Sequence, residues 1–473
     1  MPDAPLRLID EIGLVARTLA ERAVRPGRRR LRLGVTGLAR SGKTLFITAL
    51  VDALTRGTRL PGFAPMAEGR MIGASLIEQP HAAVPRFAVE THRNALIGPD
   101  PHWPQSTRGL SELSLLIRYR SKSFGTPQRE LEIDIVDYPG EWLLDLGLLT
   151  LDFASWSDRL RAIATADPNP PGFLSADPQA VLSVEATEAL ARDFTAWLKT
   201  KKADPTALLA LTPGRFLLPG ELEGSPALTF APLPAPGHIA PRDSVHALFA
   251  ARYEAYKRLV VRPFFRDHFA RLDRQIVLAD PLSALNGGAA ALSALSTALT
   301  DTLTAFRAGD SNPITRLVAR RIDRILFAAS KADHIHSTSH DRLEALLNTL
   351  VADATRRARF SGAATRSLAL ASVRATREAV VDTAEGPHDV IVGVPEQGER
   401  MGAVLYDGKT EIALFPGDLP ETTETLSAAP AGRLHFLNFR PPLRLERRAD
   451  GTPALPYIRL DRALDWLIGD WMK

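Results

Sequence analysis

The sequence predicts an α/β fold, a sheet with helices on both faces, carrying a large helical insertion and a small β-rich C-terminal extension. Three observations predict it. The apolar run "LRLGVTG" feeds through a glycine-containing loop into "KTLFITALVDAL", in the order strand, loop, helix. Further apolar runs follow at 110–119, in "RELEIDIVD" up to Asp137, at 274–280 and at 324–335. Residues 146–270 interrupt that series with helical patterns and proline-rich connections such as "ADPNPPGF", too long for a loop inside a compact core.

The first strand–loop–helix unit carries the most specific signal. Gly37, Leu38, Ala39, Arg40, Ser41, Gly42, Lys43 and Thr44 spell the phosphate-loop pattern G-x-x-x-x-G-K-[ST]. Successive backbone N–H groups of such a loop wrap an anion, and the following helix presents its positive end. Lys43 is expected to reach the outer phosphates of a nucleotide and the Thr44 hydroxyl to ligate Mg2+. The fold is therefore a P-loop NTPase.

The strand ending at Asp137 is followed by Gly140, the spacing D-x-x-G. A carboxylate at a strand end is where a P-loop enzyme holds Mg2+, and the glycine N–H can meet a γ-phosphate. Asp, Pro and Gly also make a plain turn, so the placement after a hairpin carries the weight. Upstream lies "WPQSTRGL", where Thr107, or Ser106 beside it, is expected to close on Mg2+ and the γ-phosphate ahead of what reads as the edge strand. Residues 57–106 are rich in Gly, Pro and polar turns, the composition of a mobile first switch. The position after D-x-x-G is Glu141, which could orient water but would repel a γ-phosphate. Arg40 is a candidate charge stabiliser inside the loop, with solvent exposure as its plain alternative.

The run at 324–335 ends in Ser330-Lys331-Ala332-Asp333, similar to the guanine-reading N/T-K-x-D pattern with serine first. Asp333 can accept from guanine N1–H and the exocyclic amine, and the lysine stem can cover the ring. A strand-end turn with a helix cap is the bland alternative. Ser372 and Val373 follow the run "RSLALASVRAT", whose end is similar to the loop that meets guanine O6. These motifs make the P-loop core GTPase-like. His334, His336 and His340 in "HIHSTSH" have no matching ligand cluster and point weakly to metal.

The expected organisation is an N-terminal amphipathic helix and basic linker (1–30), a core in two pieces (31–145 and 271–378), the insertion (146–270) and the extension (379–473) ending in an amphipathic helix through Leu460, Leu464, Leu467 and Trp471. Leu8, Ile12, Val15 and Leu19 share one face, ahead of Arg28–Arg30. Such a segment can lie on an acidic membrane, or simply pack on its domain. There are no cysteines, which excludes disulfides, thiolate zinc sites and cysteine nucleophiles. A net charge of +4 over 473 residues indicates no specific nucleic-acid partner. No signal-peptide pattern occurs, and no stretch approaches the roughly 20 apolar residues of a membrane span. A cytoplasmic protein, at most peripheral at a membrane, is expected.

Together, "GLARSGKTLFITALV", "WPQSTRGLSEL", "DIVDYPGEWLLDL", "SKADH" and "RLDRALDWL" resemble the stress-inducible YcjX-like family of bacterial P-loop proteins, within the regulatory GTPase superfamily. The resemblance implies a switch that binds GTP and GDP with Mg2+ and hydrolyses GTP. It also implies an envelope-stress setting at the inner membrane and a membrane-protein partner of the YcjF type. An ATPase of the same fold and a slowly hydrolysing scaffold are the alternatives, separated by base selectivity and by turnover.

Overall fold

The computed structural model describes residues 29–473, apart from 39, 106–108, 123–127, 182, 204–210, 238–240, 305–321, 384–385, 420–433, 444 and 449. The amphipathic pattern at 6–24, Ala39, Ser106 and Thr107 lie outside the described residues. The chain forms two compact units. One contains the described residues up to Tyr138, Leu272–Ser293 and Arg321–Lys473; the other contains Pro139–Arg271 and a segment from Ala294 onward.

The first unit is built on a seven-stranded sheet. In chain order its strands are β1 (Arg29–Gly37), β2 (Met71–Ile77), β3 (Ser111–Arg120), β4 (Gln128–Asp137), β5 (Arg274–Ala279), β6 (Arg324–Ala329) and β7 (Ala364–Ala369). Their spatial order is β2-β3-β4-β1-β5-β6-β7. β4, β1, β5, β6 and β7 pair in parallel, and β3 runs antiparallel to both of its neighbours. β1 is buried from Leu31 onward, as a central parallel strand covered on both faces must be. Leu31, Leu33 and Val35 enter one continuous apolar core with Phe46, Ile47 and Leu50 of the helix Lys43–Arg56. That helix stops at Gly57, which takes the left-handed conformation (φ 69°) that a C-terminal cap needs. Arg32, on the other face of β1, is paired with Glu112 of β3 at 3.1 Å.

The structure corrects the reading of residues 57–106 as turns. That stretch contains β2 and the helix Val89–Ile97, and β2, not β3, is the sheet edge. "MIGASLI" has small residues and a glycine, so its intrinsic strand signal is weak. Pairing with the free side of β3 makes it a strand.

The C-terminal helix Leu460–Ile468 also joins the sheet core: Leu460, Leu464 and Leu467 are buried among the same residues as Phe46 and Leu50. Asp461 accepts from the Gly62 N–H (2.7 Å) and Asp465 from the Ala64 N–H (3.0 Å). Arg274 at the start of β5 donates to Asp470 (2.9 Å) and to the Leu467 carbonyl (3.2 Å). A small antiparallel sheet, β8 (Arg377–Thr383), β9 (Gly386–Gly393) and the short strand Ile412–Leu414, holds its own apolar cluster with Leu437 and Phe439.

The second unit is helical and aromatic. From Glu141 the chain forms Glu141–Leu144, a 3-10 segment and Phe153–Thr165, the last capped by Asp152 accepting from the Ser155 N–H at 2.7 Å. The helix Val245–Tyr256 passes through a π turn, Lys257–Val261, into Arg262–Asp267. Pro263 lacks an N–H and crowds the preceding turn, which the wider π geometry accommodates. Trp156 stacks on Tyr253 with ring centres 5.1 Å apart and meets Phe230 edge-on. Among the described residues no helix is long and apolar enough to cross a membrane.

Candidate functional site

β1 delivers the chain to Gly37, and the next helix begins at Lys43, so residues 37–44 form the turn between a buried strand and a helix N-terminus. Gly37 must be glycine: a Cβ there would stand 2.3 Å from the Leu278 carbonyl oxygen of β5, a backbone atom. Gly42 has φ 90°, again the left-handed region. Lys43 Nζ donates to the carbonyls of Gly37 (2.6 Å) and Leu38 (3.3 Å), so the ammonium spans the loop. Ser41 Oγ is buried and has no hydrogen-bond partner among the described residues. Arg40 holds φ 63° and is exposed. An ammonium, a buried hydroxyl and the N-terminus of a 14-residue helix fit an anion such as a polyphosphate.

Asp137 ends β4 directly beside Val35 of β1 and is buried. It and the Thr44 hydroxyl are the hard oxygen donors that suit Mg2+. Gly140 and Glu141 are part of the helical unit. There Glu141 is buried and opens the short helix, its carbonyl so close to Gly214 that a Cβ on that glycine would stand 2.2 Å away.

At the end of β6, Ser330 Oγ donates to the Ala279 carbonyl at 2.8 Å, so the serine ties β6 to β5. Lys331 takes φ 59° and sends Nζ to Asp280 Oδ2 (2.7 Å) and Asn438 Oδ1 (2.9 Å). Burial alone would raise the Asp280 carboxyl, but the Lys331 ammonium and the Ser283 hydroxyl and N–H hold it below the ordinary value. Asp333 is buried, and its Oδ2 accepts from the Ala375 N–H at 2.7 Å. The Thr376 hydroxyl donates to the Asp333 carbonyl. The loop bearing Ser372 and Val373 is fixed by paired backbone bonds between Ala371 and Ile458, at 2.8 and 3.1 Å.

The histidines serve packing and pairing. His334 is buried, meets Phe439 edge-on at 5.2 Å and has its pKa lowered chiefly by that burial. His340 Nε2 lies 2.9 Å from the Ala332 carbonyl, and His336 stands between Glu378 and Asp389. Among the described residues no group of three or more His, Asp or Glu is placed to hold a metal by itself.

A cavity of about 460 Å³ joins the two halves of the site. Arg40, Gly42, Lys43 and Thr44 line one end; Ser330, Lys331, Asp333, Ser372 and Val373 line the other. Asp137 is not in its lining. Trp103, Glu396, Glu399, Asn438 and Phe439 form part of the wall beside Leu45, His334, Ala371 and Ala375, and sequence reading missed these five as site residues. Trp103 Nε1 donates to the Phe439 carbonyl at 2.8 Å. Burial, then the neighbouring Glu399, pushes the Glu396 carboxyl up from its ordinary value. Trp103 opens the stretch "WPQSTRGL", but no local motif marks the other four, and the place of all five in the wall arises from tertiary contacts between distant segments.

The model of the YcjX-like family, DUF463, matches residues 31–472. A protein of Escherichia coli K12 named "Ras-like GTPase YcjX" is 36% identical over 472 residues, covering 94% of this chain and 96% of that protein. A Shewanella oneidensis protein of the same name is 33% identical over 479 residues, covering 94% and 95%. With the family match spanning nearly the whole sheet and both ends of the cavity, the chain belongs to the YcjX-like family.

Proposed function

We propose that this protein is a guanine-nucleotide switch that binds GTP and GDP with Mg2+ and hydrolyses GTP to GDP and phosphate. The observation that carries this reading is the single cavity lined by the phosphate loop at one end and by Lys331 and Asp333 at the other. The names of the two relatives support it. Asp333 accepts from guanine N1–H and the exocyclic amine, Lys331 covers the ring and Ser372 and Val373 flank O6. Gly37–Thr44 and Gly140 take the phosphates. Thr44, Asp137 and Thr107 would hold Mg2+, which supplies charge neutralisation between the outer phosphates when bound. Lys43 and the loop N–H groups hold the negative charge that develops as water attacks the γ-phosphate, with Arg40 as an additional cation. Glu141 orients that water. A carboxylate there repels the γ-phosphate, so intrinsic turnover is slow and a partner raises it.

In this reading 31–145 and 271–378 carry the chemistry, 379–473 contributes wall residues to the same cavity, and 146–270 serves a partner. The family resemblance supports a cytoplasmic place, peripheral at the inner membrane, in a stress response beside a YcjF-type membrane protein. The decisive experiment measures binding of GDP, GTP, ATP and XDP, with Mg2+, to wild type and Asp333→Asn, together with GTP turnover against a Lys43→Ala control. Preference for guanine that passes to xanthine in the variant is the expected result. Equal binding of ATP with an indifferent variant would replace it with an ATPase. Guanine binding without turnover above the control would leave a scaffold.

A further inference from the structure

The segment Phe436–Arg440 crosses the wall of the cavity as a strap. Asn286 holds its start twice, donating to the Phe436 carbonyl at 2.8 Å and accepting from the Phe436 N–H at 3.0 Å. The Arg440 N–H donates to the Val394 carbonyl, and the Glu396 N–H to the Asn438 carbonyl, both at 2.8 Å. Trp103 holds the carbonyl of Phe439, as described above.

One side chain of the strap meets the base-reading motif. Glu399 accepts from Asn438 Nδ2 at 2.9 Å and from the Asn438 N–H at 3.2 Å, which fixes the amide and turns Oδ1 toward Lys331. Lys331 Nζ is then gripped from two segments, by Asp280 and, at 3.4 Å, the Ser283 hydroxyl on one and by Asn438 on the other. A free lysine stem samples many rotamers and loses them on binding. A stem already held at its tip carries much of that cost before the base arrives.

We propose that Asn438 is a positioning residue for nucleotide binding: with Glu399 it presets Lys331 as the platform for the purine ring. This rests on the guanine-nucleotide reading above. Stacking on a lysine stem does not depend on which purine it is. Asn438 therefore governs affinity and residence time, while Asp333 governs which base is chosen.

The test measures equilibrium binding and release of GDP and XDP by the full chain, with thermal midpoints as a folding check. Asn438→Ala is expected to weaken GDP about tenfold, mainly through faster release, as loss of a hydrogen bond to a charged group does. In an Asp333→Asn background it should weaken XDP by the same factor. In a Lys331→Ala background it should cost less than about twofold, because the contact it removes is already gone. The paired substitution Asn438→Asp with Glu399→Gln keeps an acceptor on Lys331, a donor–acceptor pair within the strap and the net charge. It should restore GDP binding to within about threefold of wild type.

Unchanged GDP affinity in Asn438→Ala would overturn the proposal. So would a loss that persists in full without Lys331, or a folded paired variant that binds no better than the alanine form. If wild type itself shows no guanine preference, the nucleotide reading fails instead, and the two failures are told apart in one data set.

Discussion

At the end of the cavity proposed here for the phosphates the chain uses one continuous segment, residues 37–44, set between a buried strand and the helix it feeds. At the end proposed for the base it gathers Lys331, Asp333, Ser372, Glu399 and Asn438 in the wall, with Asp280 paired to Lys331 behind them, and these come from five separate stretches of sequence. The first end is specified by backbone geometry, with Gly37 against the Leu278 carbonyl as its tightest constraint. The second is specified by side-chain hydrogen bonds that exist only once those stretches are folded together. A locally encoded site fails through its own residues. A dispersed one also fails through residues far from the ligand.

The largest effects should come from the local end. Lys43→Ala removes the ammonium that spans the loop, and nucleotide affinity should fall by roughly two orders of magnitude or more regardless of base, measured by titration with GDP and ATP. Gly37→Val should do the same and also destabilise the fold, since its side chain meets a backbone carbonyl of β5. If either variant bound nucleotide normally, the phosphate end would not lie at this loop.

Asp333→Asn comes next, with guanine affinity expected to drop roughly a hundredfold and xanthine affinity to rise, a change of selectivity that no phosphate-end variant should produce.

The dispersed character of the base end is tested from a distance by Leu464→Ala. That residue is fully buried in the sheet core, so the cavity it leaves should cost about 2–5 kcal/mol in denaturant unfolding. The C-terminal segment pairs with the base loop through Ile458 and Ala371. Hydrogen exchange should therefore quicken more at 371–376 than at 40–44. Equal acceleration at both ends would erase the distinction.

The smallest effect is a pH dependence confined to the helical unit. Asp145 is buried there, accepts from the Gly214 N–H at 2.7 Å and from Tyr256 Oη at 2.5 Å, and burial pushes its carboxyl up to about 6. A carboxyl raised in the folded state stabilises below its unfolded value near 3.8 and loses that contribution as pH rises through about 6. The unit should thus lose on the order of 2–3 kcal/mol between pH 4 and pH 6.5 from this group, and Asp145→Asn should flatten that slope in thermal unfolding. The Asp280 carboxyl, held low by Lys331, contributes stability above its unfolded value and loses it only in stronger acid, the opposite sign.

Much of the sheet was legible from its strand patterns: β5 and β6 read as short continuous apolar runs, and β1 and β4 alternate apolar with charged residues around Leu31, Leu33 and Val35 and around Leu131, Ile133 and Ile135. β2 was not legible, since a half-exposed edge strand has little apolar signal and owes its conformation to β3. In the helical unit the helical character was legible but the breaks were not, because the cap at Asp152 and the π turn ahead of Pro263 leave no mark in apolar periodicity.

The sequence by itself determined the family and the phosphate-loop pattern, and it singled out Lys331 and Asp333 as the pair proposed for the base, because each rests on residue types at fixed local spacing. Only the tertiary structure decided that the last helix completes the sheet core and that Trp103, Glu399 and Asn438 wall the base end. Their contacts span up to several hundred residues of chain, and no local pattern encodes which distant donor will find which acceptor.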